Sequence, residues 1–198
     1  MTAAAVVAVE GEALRRGPTR RAYTFLDAHG ERTITTIGER LEPRGDDPLG
    51  WEALGDADGV YVTAGDDAAL RAARAARVLV ASPRAGTVLT EAGIALDALV
   101  YSDEDELESA FARALDPRPA LLVATRGAEG GRYEAADGRS GTWKAAPRPG
   151  PIADSYGCGD SFAAALTYGL AAGEDVDSAL ELAAEAGASC LSRRGPYG

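Results

Sequence analysis

Apolar residues fall in short blocks along this chain, and the rhythm of the blocks changes about a third of the way in. Residues 3–9 form a short apolar run that predicts a strand. Tyr23-Thr24-Phe25-Leu26-Asp27 and Arg32-Thr33-Ile34-Thr35-Thr36-Ile37 are rich in β-formers, with Ala28-His29-Gly30 between them. That is the pattern of a hairpin. Residues 15–21 are basic around Gly17-Pro18, and residues 41–50 hold two prolines and two glycines, so both read as loops.

From residue 59 onward, apolar runs of strand length alternate with helical stretches. Strands are expected over 59–63, 77–81, 96–101 and 120–125. Helices are expected over 66–76, 87–93 and 103–115, the last with Ser102 as its cap and acids in its first turn. This alternation predicts βαβ units, hence an α/β fold of three layers (α/β/α) with a mostly parallel central sheet. A second hairpin is expected over 132–136 and 141–145, and Pro147, Pro149 and Pro151 mark the loop after it. Two Ala-rich helices, 160–172 and 176–192, close the chain, with Asp175 as the cap of the second. Residues 1–198 are read as one domain.

Composition narrows the function classes. Hydrophobic residues make up 46% of the chain, enough for a real core, which excludes a disordered or fibrous protein. The net charge of −11 is spread along the chain and argues against a nucleic-acid partner, which needs a basic footprint. A small phosphorylated ligand remains compatible, because backbone N–H groups and one or two local cations suffice to hold it. Cys158 and Cys190 do not suggest a disulfide framework. Residues 1–10 lack a basic stretch ahead of the apolar run, and no run has membrane-spanning length. The expectation is a soluble cytoplasmic protein with no membrane partner.

The segment with the clearest chemistry is Asp154-Ser155-Tyr156-Gly157-Cys158-Gly159-Asp160. Gly157 and Gly159 permit a tight turn and close approach of a ligand just before a helix. The first N–H groups of that helix have no acceptor within it, and the helix dipole adds positive charge, which makes an anion site. A carboxylate at Asp160 beside such a site suits a general base that deprotonates an attacking hydroxyl. The same four residues also fit a tight loop with Asp160 as a helix cap. The Lys-Ser/Thr of a Walker P-loop is missing, and no early G-x-G-x-x-G supports a dehydrogenase.

The wider pattern decides between these readings. Asp154–Asp160 with Ser161-Phe162 resembles the D-T-x-G-A-G-D-x-F signature of the PfkB family of ribokinase-like carbohydrate kinases. Thr125-Arg126-Gly127-Ala128-Glu129-Gly130 is similar to that family's T-x-G-x-x-G nucleotide segment, and residues 181–195 resemble its last Ala-rich helix. Pro18-Thr19-Arg20-Arg21, with Phe25-Leu26-Asp27 and Gly30-Glu31-Arg32, also resembles a stretch of these kinases. The resemblance implies transfer of the ATP γ-phosphate to a hydroxymethyl group of a sugar or nucleoside-like substrate, with Mg²⁺ accompanying the nucleotide. It implies Asp160 as base and Gly157, Cys158 and Gly159 as anion hole. Thr125, Arg126, Gly127, Gly130 and Asp154 would line the nucleotide site, and Ala184 and Ala188 the adenine pocket.

Three departures accompany the resemblance. The family's opening substrate-binding Asp and Gly-Gly motif are not recognisable, so the chain resembles an N-terminally shortened kinase. The alternative is therefore a catalytically impaired nucleotide-binding remnant, or a truncated form of a full-length kinase. Missing strands would leave a sheet edge that a second copy would cover as a homodimer. Ser102-Asp103-Glu104-Asp105 stands where N-x-x-E is common, which leaves Asp105 as the metal candidate, and Cys158 stands where Ala is usual. Elsewhere the bland readings prevail: His29 in an exposed turn, Cys190 in the core, Arg15, Arg16, Arg20 and Arg21 on a solvated loop. The acids of 103–108 read as exposed first turns of a helix. Arg126, between two nucleotide-segment residues, is open to a phosphate contact. Trp51 and Trp143 carry no readable signal.

Overall fold

In the computed structural model, β3 (Gly59–Val62), β4 (Val78–Ala81), β5 (Ala98–Ser102) and β6 (Leu121–Thr125) pair side by side and parallel. β7 (Gly131–Ala135) and β8 (Ser140–Trp143) extend the sheet antiparallel, giving the order β3-β4-β5-β6-β7-β8. The structure describes Pro18, residues 20–26 and residues 32–193. The expected strand at 3–9, Arg15, Arg16 and the turn bearing His29 lie outside the described residues. β1 (Arg21–Leu26) and β2 (Arg32–Ile37) form a separate antiparallel pair, with Tyr23 opposite Thr35 and Phe25 opposite Thr33. Tyr23, Phe25, Ile34 and Ile37 on this pair are exposed.

The central strands read as continuous apolar runs because both faces of the sheet are covered. Val78, Val80, Ala98, Val100, Leu121 and Val123 point to one face, under α4 (Cys158–Ala172) and α5 (Val176–Leu191). Leu79, Ala81, Leu99, Tyr101, Leu122 and Ala124 point to the other. There they meet residues of α1 (Asp67–Ala73), α2 (Val88–Ala92) and α3 (Glu106–Ala114). Alternate residues of one strand thus feed two cores, and each fully buried Leu or Val contributes about 1.5–3 kcal/mol. The three-layer architecture expected from the alternation is present.

Helix starts follow side-chain caps. Asp175 accepts from Ser178 N at 2.9 Å at the head of α5, as expected, and Asp66, expected inside the first helix, instead caps α1 by accepting from Ala69 N at 2.9 Å. The expected cap of α3 is corrected: Asp105, not Ser102, accepts from Leu107 N at 2.9 Å and Glu108 N at 3.1 Å. A run of four polar residues offers several candidate caps, and the strand β5 claims Ser102. α4 also starts earlier than expected, at Cys158, which places Asp160 inside its first turn rather than at its cap.

α4 and α5 pack closely where Gly169 faces Ala179. A Cβ on Gly169 would stand 2.9 Å from the Ala179 Cβ and 3.0 Å from its Cα. Gly169→Leu is therefore expected to overpack the crossing and cost about 1–3 kcal/mol. A thermal melt would show this as a fall of roughly 2–4 °C per kcal/mol. Among the described residues, no helix is long and apolar enough to cross a membrane.

Candidate active site

The loop before α4 is anchored to the end of α5. Ala153 N and Asp154 N donate to the Leu191 carbonyl at 2.8 and 3.4 Å. Asp154 Oδ1 accepts from Tyr156 N at 2.9 Å, and the Cys190 thiol donates to the Tyr156 carbonyl at 3.4 Å. Cys190 is thus half-buried against the motif loop rather than in the core. Gly157 then turns the chain with φ +83°, a conformation in which any side chain is strained. The first hydrogen bond of α4 runs from Ser161 N to the Gly157 carbonyl at 2.8 Å. The N–H groups ahead of Ser161 therefore have no acceptor inside the helix and point out of its positive end.

Gly159 is the informative glycine. Its φ is not positive, and a Cβ built there would meet nothing within 4 Å beyond its chain neighbours and the backbone of its own helix. Neither the turn nor the packing demands glycine at this position, and its bare backbone is exposed at the start of α4. Trp143, at the end of β8, packs against the same helix, its ring stacked 5.6 Å from that of Phe162. Trp143 looked isolated in the sequence, and its partner is a residue of the motif.

Asp160 is exposed, on the first turn of α4. Tyr61, on β3, donates its phenol hydroxyl to Asp160 Oδ1 at 3.2 Å. Burial above all pushes the Tyr61 phenol up to about 12; the nearby Ser82 hydroxyl, which makes no hydrogen bond of its own among the described residues, works against this, and the charge of Asp160 adds to it. Tyr61 is therefore a neutral donor over the ordinary pH range. Its contact was not legible in the sequence, where 99 residues separate the pair. The one available signal was its place at the carboxyl end of a parallel strand, where open α/β sheets bind ligands.

The same edge carries the other glycine segment. Thr125 ends β6 and donates from Oγ1 to the Tyr101 carbonyl at 3.2 Å. Gly127 has φ +51° and open space where a Cβ would stand. A Cβ on Gly130 would overlap the Trp143 carbonyl, so packing alone requires glycine there. Three strand spacings, about 14 Å, separate β6 from β3. The structure thus brings Asp160, through Tyr61 of β3, and Thr125, at the end of β6, to the same carboxyl edge of the sheet. Ala184 and Ala188 are buried within the protein, Ala184 in the cluster beneath α4.

Arg126 is engaged by its own chain. Its guanidinium lies 2.7 Å from Asp103 Oδ2, and Arg132 lies 2.8 Å from Asp103 Oδ1. Asp103, expected on an exposed turn, is instead largely buried between two arginines, which with their hydrogen bonds, Arg132 first, hold its carboxyl below the usual carboxylate range. A depressed carboxyl stabilises the fold above its unfolded value near 4, and that contribution is lost as pH falls through the lower, folded value. Asp103→Asn is expected to cost about 1–2 kcal/mol near neutral pH. Its stability should also fall less steeply than wild type below about pH 4, as urea unfolding at several pH values would show.

The donor set does not by itself build a site for Mg²⁺. The Asp105 carboxylate accepts two backbone N–H groups, and Glu108 turns back to accept from Ser102 N at 2.9 Å. Among the described residues, no three His, Cys, Asp or Glu side chains gather as metal ligands. An open, mainly apolar cavity of about 400 Å³ lies at the far end of the strands, lined by Val78, Leu121, Ala135, Leu170 and Val176. Asp160 stands at the opposite end of the sheet from it.

A mostly parallel sheet covered on both faces, with the helix N-terminus that bears Asp160 at its carboxyl edge, defines a three-layer α/β protein. The chain belongs to the pfkB family of carbohydrate kinases, whose profile matches residues 89–198. Ribokinase from Thermotoga maritima shares 18% identity at a TM-score of 0.70, with 90% of this chain matched to 65% of that one. Ribokinase from Arabidopsis thaliana, solved with ribose and ATP, gives 19% and 0.69, over 90% and 64%. Adenosine kinase from Sinorhizobium meliloti gives 17% and 0.68, over 91% and 63%. At these identities the likeness is one of fold. The chain spans just under two thirds of the length of these kinases. None of the curated proteins matches it.

Proposed function

We propose that this protein transfers the γ-phosphoryl group of ATP to a hydroxymethyl group of a sugar or nucleoside-like acceptor. The observation that carries the reading is the pairing of Asp160 with the glycine-cleared N-terminus of α4 on the carboxyl edge of the sheet. One Asp160 oxygen takes the hydroxyl proton, the freed oxygen attacks the γ-phosphorus, and the bond to the β,γ-bridging oxygen breaks to release ADP. N–H groups at Gly157–Gly159 and the helix dipole stabilise the charge that grows on the phosphoryl oxygens.

Thr125 and Gly127 flank the proposed nucleotide site, with Asp154 shaping the turn between that site and the base. Arg126 reaches phosphate only by leaving Asp103. Mg²⁺ bound with the nucleotide neutralises phosphate charge, and no residue here is assigned to hold it. Ribose and ATP in the Arabidopsis thaliana structure, and inosine in the Burkholderia thailandensis nucleoside kinase, support pentose-bearing acceptors as first probes. The test is ATP-dependent phosphorylation of a panel of pentoses, hexoses and nucleosides, followed by mass spectrometry. Acceptor-dependent product supports the proposal. ATP binding by calorimetry without transfer to any member of the panel would replace it with a nucleotide-binding role.

A further inference from the structure

Tyr61 ends in a hydroxyl whose geometry serves one purpose. The ring packs beside the core beneath α4, as a partly buried apolar body. The hydroxyl emerges at the edge of the sheet and donates to Asp160 Oδ1 at 3.2 Å. Buried Ser82, just past the end of β4, and the exposed Arg84 also act on it. The Asp160 side chain is exposed and has two oxygens and two rotatable bonds, so nothing in its own helix fixes which oxygen faces a ligand.

We propose that Tyr61 is a positioning residue for the base: it holds Asp160 Oδ1, so that Oδ2 is presented to the acceptor hydroxyl. The inference rests on the reading of Asp160 as general base. A base must stand within hydrogen-bond reach of its proton, and small misplacements are costly. Tyr61 suits the task because it is rigid, comes from the sheet rather than from a loop, and stays protonated. Phenylalanine at this position would keep the packing and lose only the donor.

Two measurements test this. In the first, Tyr61→Phe is expected to lower kcat about 10-fold or more while KM for ATP and the melting temperature hold. Placed on Asp160→Asn it should add almost nothing, because its effect passes through the carboxylate. A wild-type kcat in Tyr61→Phe, or a loss that adds in full to that of Asp160→Asn, overturns the proposal. If Asp160→Asn itself turns over normally, the base assignment fails separately and takes this inference with it. The second measurement needs no turnover: carbon-13 NMR of the tyrosine rings through alkaline pH. Asp160→Asn should lower the Tyr61 titration by the part owed to the carboxylate, leaving the larger shift owed to burial, and leave that of Tyr101 in place. An unchanged Tyr61 titration would show that the contact is absent in solution and overturn the proposal.

Discussion

Asp160→Asn is expected to lower kcat by about 10²- to 10⁴-fold, the range removed when a general base is lost. Each factor of ten corresponds to about 1.4 kcal/mol of barrier, so the loss is about 3–5.5 kcal/mol. The substitution is nearly isosteric, and the amide oxygen still accepts from Tyr61, so the site keeps its shape. What disappears is the ability to take the hydroxyl proton. ATP binding should persist, and tighten slightly, because a negative charge beside the phosphates is removed. Asp160 lies in the first turn of α4, where a carboxylate favours the helix by about 0.3–1 kcal/mol, so the variant should melt a few degrees lower at most. Steady-state kinetics, calorimetry with an ATP analogue and a melt separate the three effects. Unchanged turnover would remove Asp160 from the chemistry and leave α4 as an anion site only.

Much of the fold was legible because its signals are local. Runs such as 78–81 and 121–124 are apolar at every position and too short for a helix, which fits a strand buried on both faces. Capping at Asp175 is decided within three residues and was readable, and the equally local cap at Asp66 was passed over because the helix was started one residue early. The cap of α3 was misplaced because Ser102, Asp103, Glu104 and Asp105 are all capable of the role, and only the length of β5 decides among them. The motif at Asp154–Asp160 was legible as well, since glycine turn, helix start and carboxylate are adjacent in the chain.

The partners of the site residues were not legible. Asp103 meets Arg126 and Arg132 across 23 and 29 residues, and Cys190 meets Tyr156 across 34. Tyr61 and Asp160 are joined only because β3 and the start of α4 arrive at the same sheet edge. No periodicity encodes such pairs. Each depends on strand order, and the pattern of apolar blocks predicts parallel strands without ordering them. The consequence for the site is specific. The acidic run was read by composition as a solvated face, whereas its first member, Asp103, locks the two arginines nearest the proposed nucleotide segment. A phosphate that recruits Arg126 must compete with a carboxylate already in place.

Gly159→Ala should move stability and activity in opposite directions. In a helix, alanine is favoured over glycine by up to about 1 kcal/mol, and the added Cβ meets nothing within 4 Å beyond its chain neighbours and its own helix. The variant should therefore melt at the wild-type temperature or above. Its methyl group, however, stands where a phosphoryl oxygen must approach the N-terminus of α4, so transfer should fall about 10-fold, and further in Gly159→Val. Gly157→Ala is the control with the other signature. At φ +83° it forces a side chain into the left-handed region, at a cost of about 1–2 kcal/mol, so stability and activity should fall together. If α4 began with glycines only to make a tight turn, Gly159→Ala would be stabilised and fully active. Melting curves and transfer assays on the two variants distinguish a ligand-shaped space from a merely conformational one, and they do so whichever sugar or nucleoside proves to be the acceptor.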